Sequence, residues 1–218
     1  MDKLRLVYSQ TGRARWISHL DAMRTLQRAM NRAQIPIKYS EGFNPHALIS
    51  IVMPLSVGTE SLCQMADIRV REDVDIAALP QRLTAVMPEG IVVTDCYENA
   101  GKAAELKWLR CRGVWEYDNR DPTEMADACR TLFSSPVQVL RRTKRGEGLL
   151  TVTEHIRELT FAPEDRAVKV ECVVSAAEPV VNPDLISAAV AQNLPGAAPD
   201  AAHFCRLELY RADGTYFR

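Results

Sequence analysis

The order of strand-like and helix-like segments is the feature that most limits how this chain can fold. Over the first 97 residues, segments with the alternating pattern of a half-buried strand and segments with a helical apolar period follow the order β-α-β-β-α-β. This order is typical of the ferredoxin-like, or split βαβ, arrangement. The predicted strands are residues 3–9, 48–53, 65–71 and 91–97, and the predicted helices are residues 20–33 and 76–87.

The second half of the chain repeats this order. Residues 143–148 are predicted to form a turn or loop, and residues 149–161 fit either a strand or a short helix. We therefore predict an α+β protein of two ferredoxin-like halves, residues 1–98 and 105–218, each with an antiparallel sheet and helices on one face. The further predicted strands are residues 106–117, 137–142, 167–175 and 203–211, and the further predicted helices are residues 122–133 and 182–193.

The first predicted helix has an apolar side and a basic side. Arg24, Arg28 and Arg32 follow one another at steps of four and are predicted to lie on one exposed side. The planar guanidinium group suits phosphate, so this stripe is a candidate contact with nucleic acid. The apolar residues recur every three or four positions and are predicted to pack on the sheet; they are Leu20, Met23, Leu26, Met30 and Ala33.

The first 50 residues are basic in a chain that is nearly neutral. They carry eight Lys and Arg against three Asp and Glu, a net charge of +5. The whole chain has a net charge of −1, so the other 168 residues have a net charge of −6. A basic face on a near-neutral body suits an anionic partner. The aromatic candidates for stacking a base are Phe43 and Trp16, with burial as the alternative for Trp16. The predicted nucleic-acid contacts are Arg13, Arg15, Arg24, Arg28, Arg32, Lys38, Phe43, Asn44, Arg141, Arg142, Lys144 and Arg145.

Two polar segments bracket the first predicted helix. Such a density of polar side chains is unsuited to a core, and loops that carry them often hold binding sites. A structural interpretation also exists, because Ser18 with Asp21 fits a helix cap and residues 42–45 are of turn-forming types. The motif residues are Ser18, His19, Asp21, Tyr39, Ser40, Gly42, Phe43, Asn44, Pro45 and His46.

His19 and His46 are the candidate catalytic residues. A pair of histidines across a cleft could act as general acid and base, for example in cleaving RNA through its 2′-hydroxyl group. A metal site would need a third ligand, and His19 and Asp21 do not share a helix face, so we predict no metal. The six cysteines are at least 15 residues apart, which leaves no C-x-x-C pair or iron–sulfur spacing. We expect buried thiols and no cofactor.

The sequence also carries no membrane signal. It contains no run of about 18 apolar residues, which a membrane-spanning helix would need. The segment that begins with Asp2 and Lys3 has no apolar signal region. We therefore expect a cytoplasmic protein.

The motif region resembles a family of uncharacterised radical-SAM-associated proteins, a domain of unknown function. Ala47 stands where members of that family tend to have a second proline. The resemblance implies a bacterial protein that is encoded beside a radical-SAM protein or fused to the C-terminal end of one, often near genes for RNA processing. The matching segments are Ile17–Asp21 with Arg24 and Arg28, Ile35–Pro36, Tyr39–Ser40, Gly42–His46, Pro54–Gly58 and the acidic Asp67.

Three functions follow as expectations. The first is an accessory module that binds structured RNA and partners a radical-SAM enzyme in tRNA or rRNA modification or processing. The second is a metal-independent endoribonuclease that uses His19 and His46. The third is a protein–protein adaptor for the radical-SAM partner without RNA contact. The basic face and the missing iron–sulfur cysteines favour the first function, which is not catalytic. The sequence alone leaves open whether the protein is an enzyme.

Overall fold

The computed structural model describes residues 2–99, 101–143 and 146–218. Within these residues the protein is a mixed α/β structure with ten β-strands and four α-helices. The chain divides between Ala103 and Ala104 into two compact units, here called the first unit and the second unit. The strands of each unit pair antiparallel.

The first unit contains four strands and two α-helices. Its sheet has the order β4-β1-β3-β2. The third strand begins at Glu60, five residues before its predicted start. The second helix is only six residues long, because hydrogen-bonded turns occupy the residues before and after it. The elements are β1 (Lys3–Gln10), α1 (His19–Arg32), β2 (Ile49–Ile51), β3 (Glu60–Arg69), α2 (Leu79–Thr84) and β4 (Ile91–Glu98).

The two helices of the first unit cover one face of its sheet. Leu4, Leu6 and Tyr8 alternate along β1 and join the core on that face. Lys3 and Arg5, which alternate with these residues, therefore belong to the opposite face, which we call the open face of the first sheet. From α1, the buried side chains are Ala22, Leu26, Ala29 and Met30, with Met23 and Ala33 partly buried against them.

The prediction that Leu20 packs in this core is wrong, because its side chain is 65% exposed. Leu20 precedes Arg24, Arg28 and Arg32 at steps of four, so it lies on their side of the helix. The helix begins at His19, one residue before its predicted start, and ends at Arg32. Ser18 is its N-cap, and the Ser18 hydroxyl oxygen accepts a hydrogen bond of 3.2 Å from the backbone N–H of Asp21.

The second unit contains six strands and two α-helices. Four strands form a sheet in the order β10-β5-β9-β8, and β6 and β7 form a separate two-stranded sheet. Of the residues predicted as a turn or loop, 143–148, the described ones belong to strands, which reach Thr143 and resume at Gly146. The ambiguous residues 149–161 divide among the end of β7, a 3-10 helix and most of β8. The elements are β5 (Trp108–Glu116), α3 (Pro122–Leu132), β6 (Gln138–Thr143), β7 (Gly146–Thr151), β8 (Ile156–Pro163), β9 (Ala167–Ser175), α4 (Asp184–Asn193) and β10 (Ala201–Tyr210).

An aromatic cluster forms the core of the second unit. Trp115 is fully buried, with the Phe161 and Phe204 ring centroids 5.5 and 6.5 Å from its own. Gly113 lies opposite Phe204 in the register of β5 and β10, and a Cβ atom at Gly113 would stand 2.5 Å from the Phe204 ring. The absence of a side chain at position 113 therefore leaves the space that the Phe204 ring fills.

The cysteines are thiols, and five of the six are buried. Burial raises the pKa of Cys96 to about 12 and that of Cys129 to about 11, so both stay protonated at neutral pH. None of the helices in the described part of the chain is both long enough and apolar enough to cross a membrane.

Candidate functional site

A cleft of about 540 Å³ lies on the open face of the first sheet. Its floor contains Lys3 from β1 and Asp67 and Arg69 from β3, which alternate with buried residues and so share one face. His46, Leu48 and Ser50 extend it along the approach to β2. The segment that follows β4 forms a further part of the lining, with Asn99, Gly101, Lys102 and Ala103.

The only carboxylate among the lining residues is held by a buried arginine. Arg5 donates from Nε to Asp67 Oδ1 at 2.6 Å and from Nη2 to Asp67 Oδ2 at 3.0 Å. The Arg5 side chain is fully buried and also lies 3.4 Å from the Gly101 carbonyl oxygen. Arg5 balances the charge of Asp67, and three basic side chains, Lys3, Arg69 and Lys102, also line the cleft. Arg69 lies 3.7 Å from the Asp2 carboxylate, which is not among the lining residues. The cleft is therefore electropositive and suited to an anion.

A tight loop borders this cleft and carries Phe43 at its tip. The Ser40 hydroxyl lies 2.8 Å from His46 Nδ1 and accepts the His46 backbone N–H at 3.1 Å, while the Ser40 N–H donates to the His46 carbonyl. Gly42 has φ of +118°, which favours glycine. Phe43 and Asn44 are exposed, and the Phe43 ring touches almost nothing. The loop thus presents an aromatic ring to solvent, and its last residue, His46, lines the cleft.

The first half of the motif serves the start of α1. Hydrogen bonds from Ser18 and Arg24 lower the pKa of Asp21, so this carboxylate stays ionised near the helix N-terminus. His19 lines a very small cavity with Gln10 and Gln64. Ser18 and Asp21 are accounted for by capping.

His19 and His46 line different cavities. His46 lines the cleft on the open face, and His19 lines the small cavity at the start of α1. Neither of these two cavities has both histidines in its lining, so the catalytic pair stays a prediction.

The arginine stripe lies away from the cleft, because α1 packs on the opposite face of the sheet. Arg24 pairs with Asp21 at 3.1 Å, and Arg32 donates to the Val86 carbonyl oxygen at 2.7 Å. Arg28 is exposed. Two of the three arginines thus have contacts of their own, which weakens the stripe as a phosphate site.

The other predicted nucleic-acid contacts are dispersed. Arg13 and Lys38 are exposed. Arg15 lies 3.8 Å from Glu60 and 5.0 Å from the centroid of the Trp16 ring, which is 58% exposed rather than buried. In the second unit, Arg141 donates to the Val180 carbonyl at 3.3 Å and Arg142 is exposed. Lys144 and Arg145 lie outside the described residues.

The sequence reasoning missed a second surface, on the face of the second unit's sheet that its helices leave uncovered. Leu109, Cys111 and Trp115 of β5 are buried, so Trp108 and Arg110 lie on the other face, beside Tyr210 of β10. The alternation of aromatic and arginine residues along β5 was the signal in the sequence.

The described residues contain no group of three or more His, Cys, Asp and Glu side chains placed to share a metal ion. The site's cations and hydroxyl groups are suited to binding a ligand's phosphate or hydroxyl oxygens directly.

Comparison with known proteins gives a family and little else. No curated protein matches the sequence at a significant level. A crystal structure of an unknown protein from Galdieria sulphuraria matches over 97% of this chain and 98% of that chain, at 7% identity. Its TM-score of 0.28 is too low to carry an argument. A family model covers residues 3–183, which is most of the chain. The chain therefore belongs to the bacterial family described as "Uncharacterized protein conserved in bacteria (DUF2344)".

Proposed function

We propose that the first unit binds single-stranded RNA through the cleft on its open face. The observation that carries this proposal is the charge of the lining: three basic side chains, of which Arg69 also lies 3.7 Å from Asp2, and one carboxylate that Arg5 binds. The RNA backbone is a chain of phosphates, and lysine and arginine side chains that neutralise them supply most of the affinity of a sequence-independent contact.

Phe43 gives the proposal its preference for single strands. Its ring is exposed at the tip of a loop whose last residue, His46, lines the cleft. Unpaired bases stack on such aromatic rings, whereas bases within a duplex are already stacked on one another. A strand whose phosphates lie in the cleft would have a base within reach of this loop.

We also infer that both units are ferredoxin-like, as a duplication. The sheet order β4-β1-β3-β2 of the first unit supports this inference. The order β10-β5-β9-β8 of the second unit has the same pattern once the β6–β7 pair is counted as an insertion. Ferredoxin-like sheets are frequent scaffolds for RNA contacts on the face without helices, although a fold alone does not fix a function.

The biological setting that we propose is an accessory role beside a radical-SAM enzyme in tRNA or rRNA modification or processing. The resemblance of residues 17–58 to radical-SAM-associated proteins supports this setting. In this role the chain holds RNA, and the partner enzyme performs the chemistry.

The cleft makes a testable prediction about salt. The quantity to measure is the slope of log K against log salt for binding a single-stranded oligouridylate. For the Lys3→Ala/Lys102→Ala variant, this slope should be shallower than that of the wild type by about 1–2 units. The reason is that each phosphate that is no longer neutralised removes roughly 0.7 from the slope. Fluorescence anisotropy across a salt series measures the slope. The matched control is Arg24→Ala/Arg28→Ala, which removes two cations from the opposite face and should leave the slope unchanged. If the slope became shallower only in this control variant, the RNA would contact α1 instead of the cleft.

Phe43 makes a separate prediction. The Phe43→Ala variant should bind the same oligouridylate more weakly by about 1–3 kcal/mol, the value of one stacked base, with little change in the salt slope. The Tm should stay at the wild-type value because the ring packs against almost nothing in the folded chain. Phe43→Trp should restore binding. Equal affinities of Phe43→Ala and wild type would remove this ring from the interface.

A second candidate function, the protein adaptor, is supported by a different observation. Trp16, Leu20 and Val57 are each at least 58% exposed, and the Trp16 ring lies across Gly58. Exposed aromatic and aliphatic residues of this kind are common in protein interfaces. If Trp16→Ala/Leu20→Ala abolished co-purification with the radical-SAM partner while RNA affinity stayed the same, the adaptor function would be supported.

A further inference from the structure

We propose that the second unit has its own binding site for one unpaired base of single-stranded RNA, on the face of its sheet opposite α3 and α4. The site is a cavity of about 200 Å³, here called the Trp108 pocket. It uses none of the residues of the first unit's cleft. Its lining residues are Trp108, Arg110, Arg157, Val173, Tyr210 and Gly214, together with Glu158.

The pocket has flat groups on more than one side. The Arg157 guanidinium carbon lies 3.9 Å from the Trp108 ring centroid, a stacked arrangement. Tyr210 is the cross-strand neighbour of Trp108, and its ring stacks on Tyr216 at 5.4 Å with an interplanar angle of 23°. Tyr216 is 51% exposed. Bases of unpaired RNA stack on aromatic rings and on guanidinium planes, and this pocket offers both.

The size of the pocket limits what can enter it. Sites for drug-sized ligands have volumes of about 300–1,000 Å³. A cavity of about 200 Å³ is smaller and suits a single ring system. The polar groups at its rim fit the edge of a base. The Tyr210 hydroxyl donates to the Glu208 carboxylate, and the Glu158 carboxylate can accept from a ring N–H or an amino group.

Basic side chains beside the pocket suit the phosphates of a nucleic acid. Arg110, Arg112 and Lys169 surround Glu171 at 3.5, 3.7 and 2.9 Å. These residues lie on the same face of β5 and β9, and Arg110 also lines the pocket. With Arg157, the three basic residues give this face four cations against the three carboxylates of Glu158, Glu171 and Glu208. A strand with one base in the pocket would place its phosphates along this row. An aromatic peptide would not need these cations, and an acidic peptide would not need the flat pocket.

Tryptophan fluorescence and affinity test the site in the full chain. The probe is a single-stranded oligouridylate of about ten nucleotides, a length within the range of single-strand binding sites. Wild-type tryptophan emission should be quenched on binding, and the quench should be reduced in Trp108→Phe, which keeps an aromatic ring and most of the affinity. Trp108→Ala should bind roughly 5- to 150-fold more weakly, as expected when one base no longer stacks on the protein.

Matched variants separate this site from the cleft of the first unit. Val114→Ala changes a half-exposed residue on the same face of β5, outside the pocket, and should bind like wild type. Lys3→Ala/Lys102→Ala should keep the Trp108-dependent quench, because that signal arises in the second unit. Cross-linking of a 4-thiouridine-substituted probe should label the peptides that contain Trp108 or Tyr210.

Three results would overturn the proposal. The first is an affinity of Trp108→Ala within twofold of the wild type. The second is cross-links confined to the first unit. The third is quenching of the tryptophan fluorescence by a fully paired RNA duplex that is as strong as the quenching by the single strand. Paired bases cannot enter the pocket, so the duplex should quench less.

Discussion

Replacing Met30 by aspartate is expected to lower the free energy of unfolding of the first unit by about 5 kcal/mol or more. The Met30 side chain is fully buried between α1 and the sheet, in contact with the main core of that unit. The variant loses the apolar burial of a methionine and places a carboxylate where it has no cation to pair with. Chemical denaturation, with hydrogen exchange to assign the loss to residues of the first unit, measures the effect.

The matched control lies on the same helix. Leu20→Asp makes a similar chemical change at a residue that is 65% exposed, and acidic residues near a helix N-terminus are favourable. Its stability should lie within about 0.5 kcal/mol of the wild type. A large destabilisation by Leu20→Asp would mean that the apolar stripe extends to the start of the helix after all.

Asp67→Asn is expected to destabilise the first unit by about 3 kcal/mol, because it leaves the buried Arg5 guanidinium without its counter-charge. This value is at the lower end of the range for a broken buried ion pair, since Asp67 is 30% exposed while Arg5 is fully buried. Urea denaturation of the variant and the wild type at neutral pH measures the difference.

Two further variants test whether the loss of the Arg5–Asp67 ion pair causes this destabilisation. Asp21→Asn removes the partner of Arg24, and both of those side chains are more than half exposed, so its stability should barely change. The double variant Arg5→Met/Asp67→Leu removes both charges and should recover most of the loss. If the double variant were less stable than Asp67→Asn, the ion pair would not be the reason for the effect.

Several elements could be predicted from the sequence because local signals fix them. Ser18 caps α1, and Asp121 with Pro122 begins α3, each through a pattern that acts within one turn. Strand β5 alternates between buried and more exposed residues along its whole length, and β9 does so from Ala167 to Cys172, so their periodicity was sufficient. In each case the deciding interactions are close in sequence.

Other features could not be predicted because they depend on pairing between distant segments. The sequence places Leu20 at an apolar spacing, and only the orientation of α1 on the sheet makes it exposed. The cleft needs Lys3, Asp67 and Lys102 together. The register of β1 and β3 brings Lys3 and Asp67 to one face, and Lys102 comes from the segment after β4. The arginine stripe was visible in the sequence, but the opposite placement of stripe and cleft was not.

The pairing of Gly113 with Phe204 has a consequence for related sequences. Because the Phe204 ring fills the space of the missing side chain, the two positions should vary as a pair in evolution. A relative with alanine or serine at the position of Gly113 should carry a smaller residue at the position of Phe204, so that their combined volume stays nearly constant. Substitution histories of the family would then record a contact between two positions 91 residues apart.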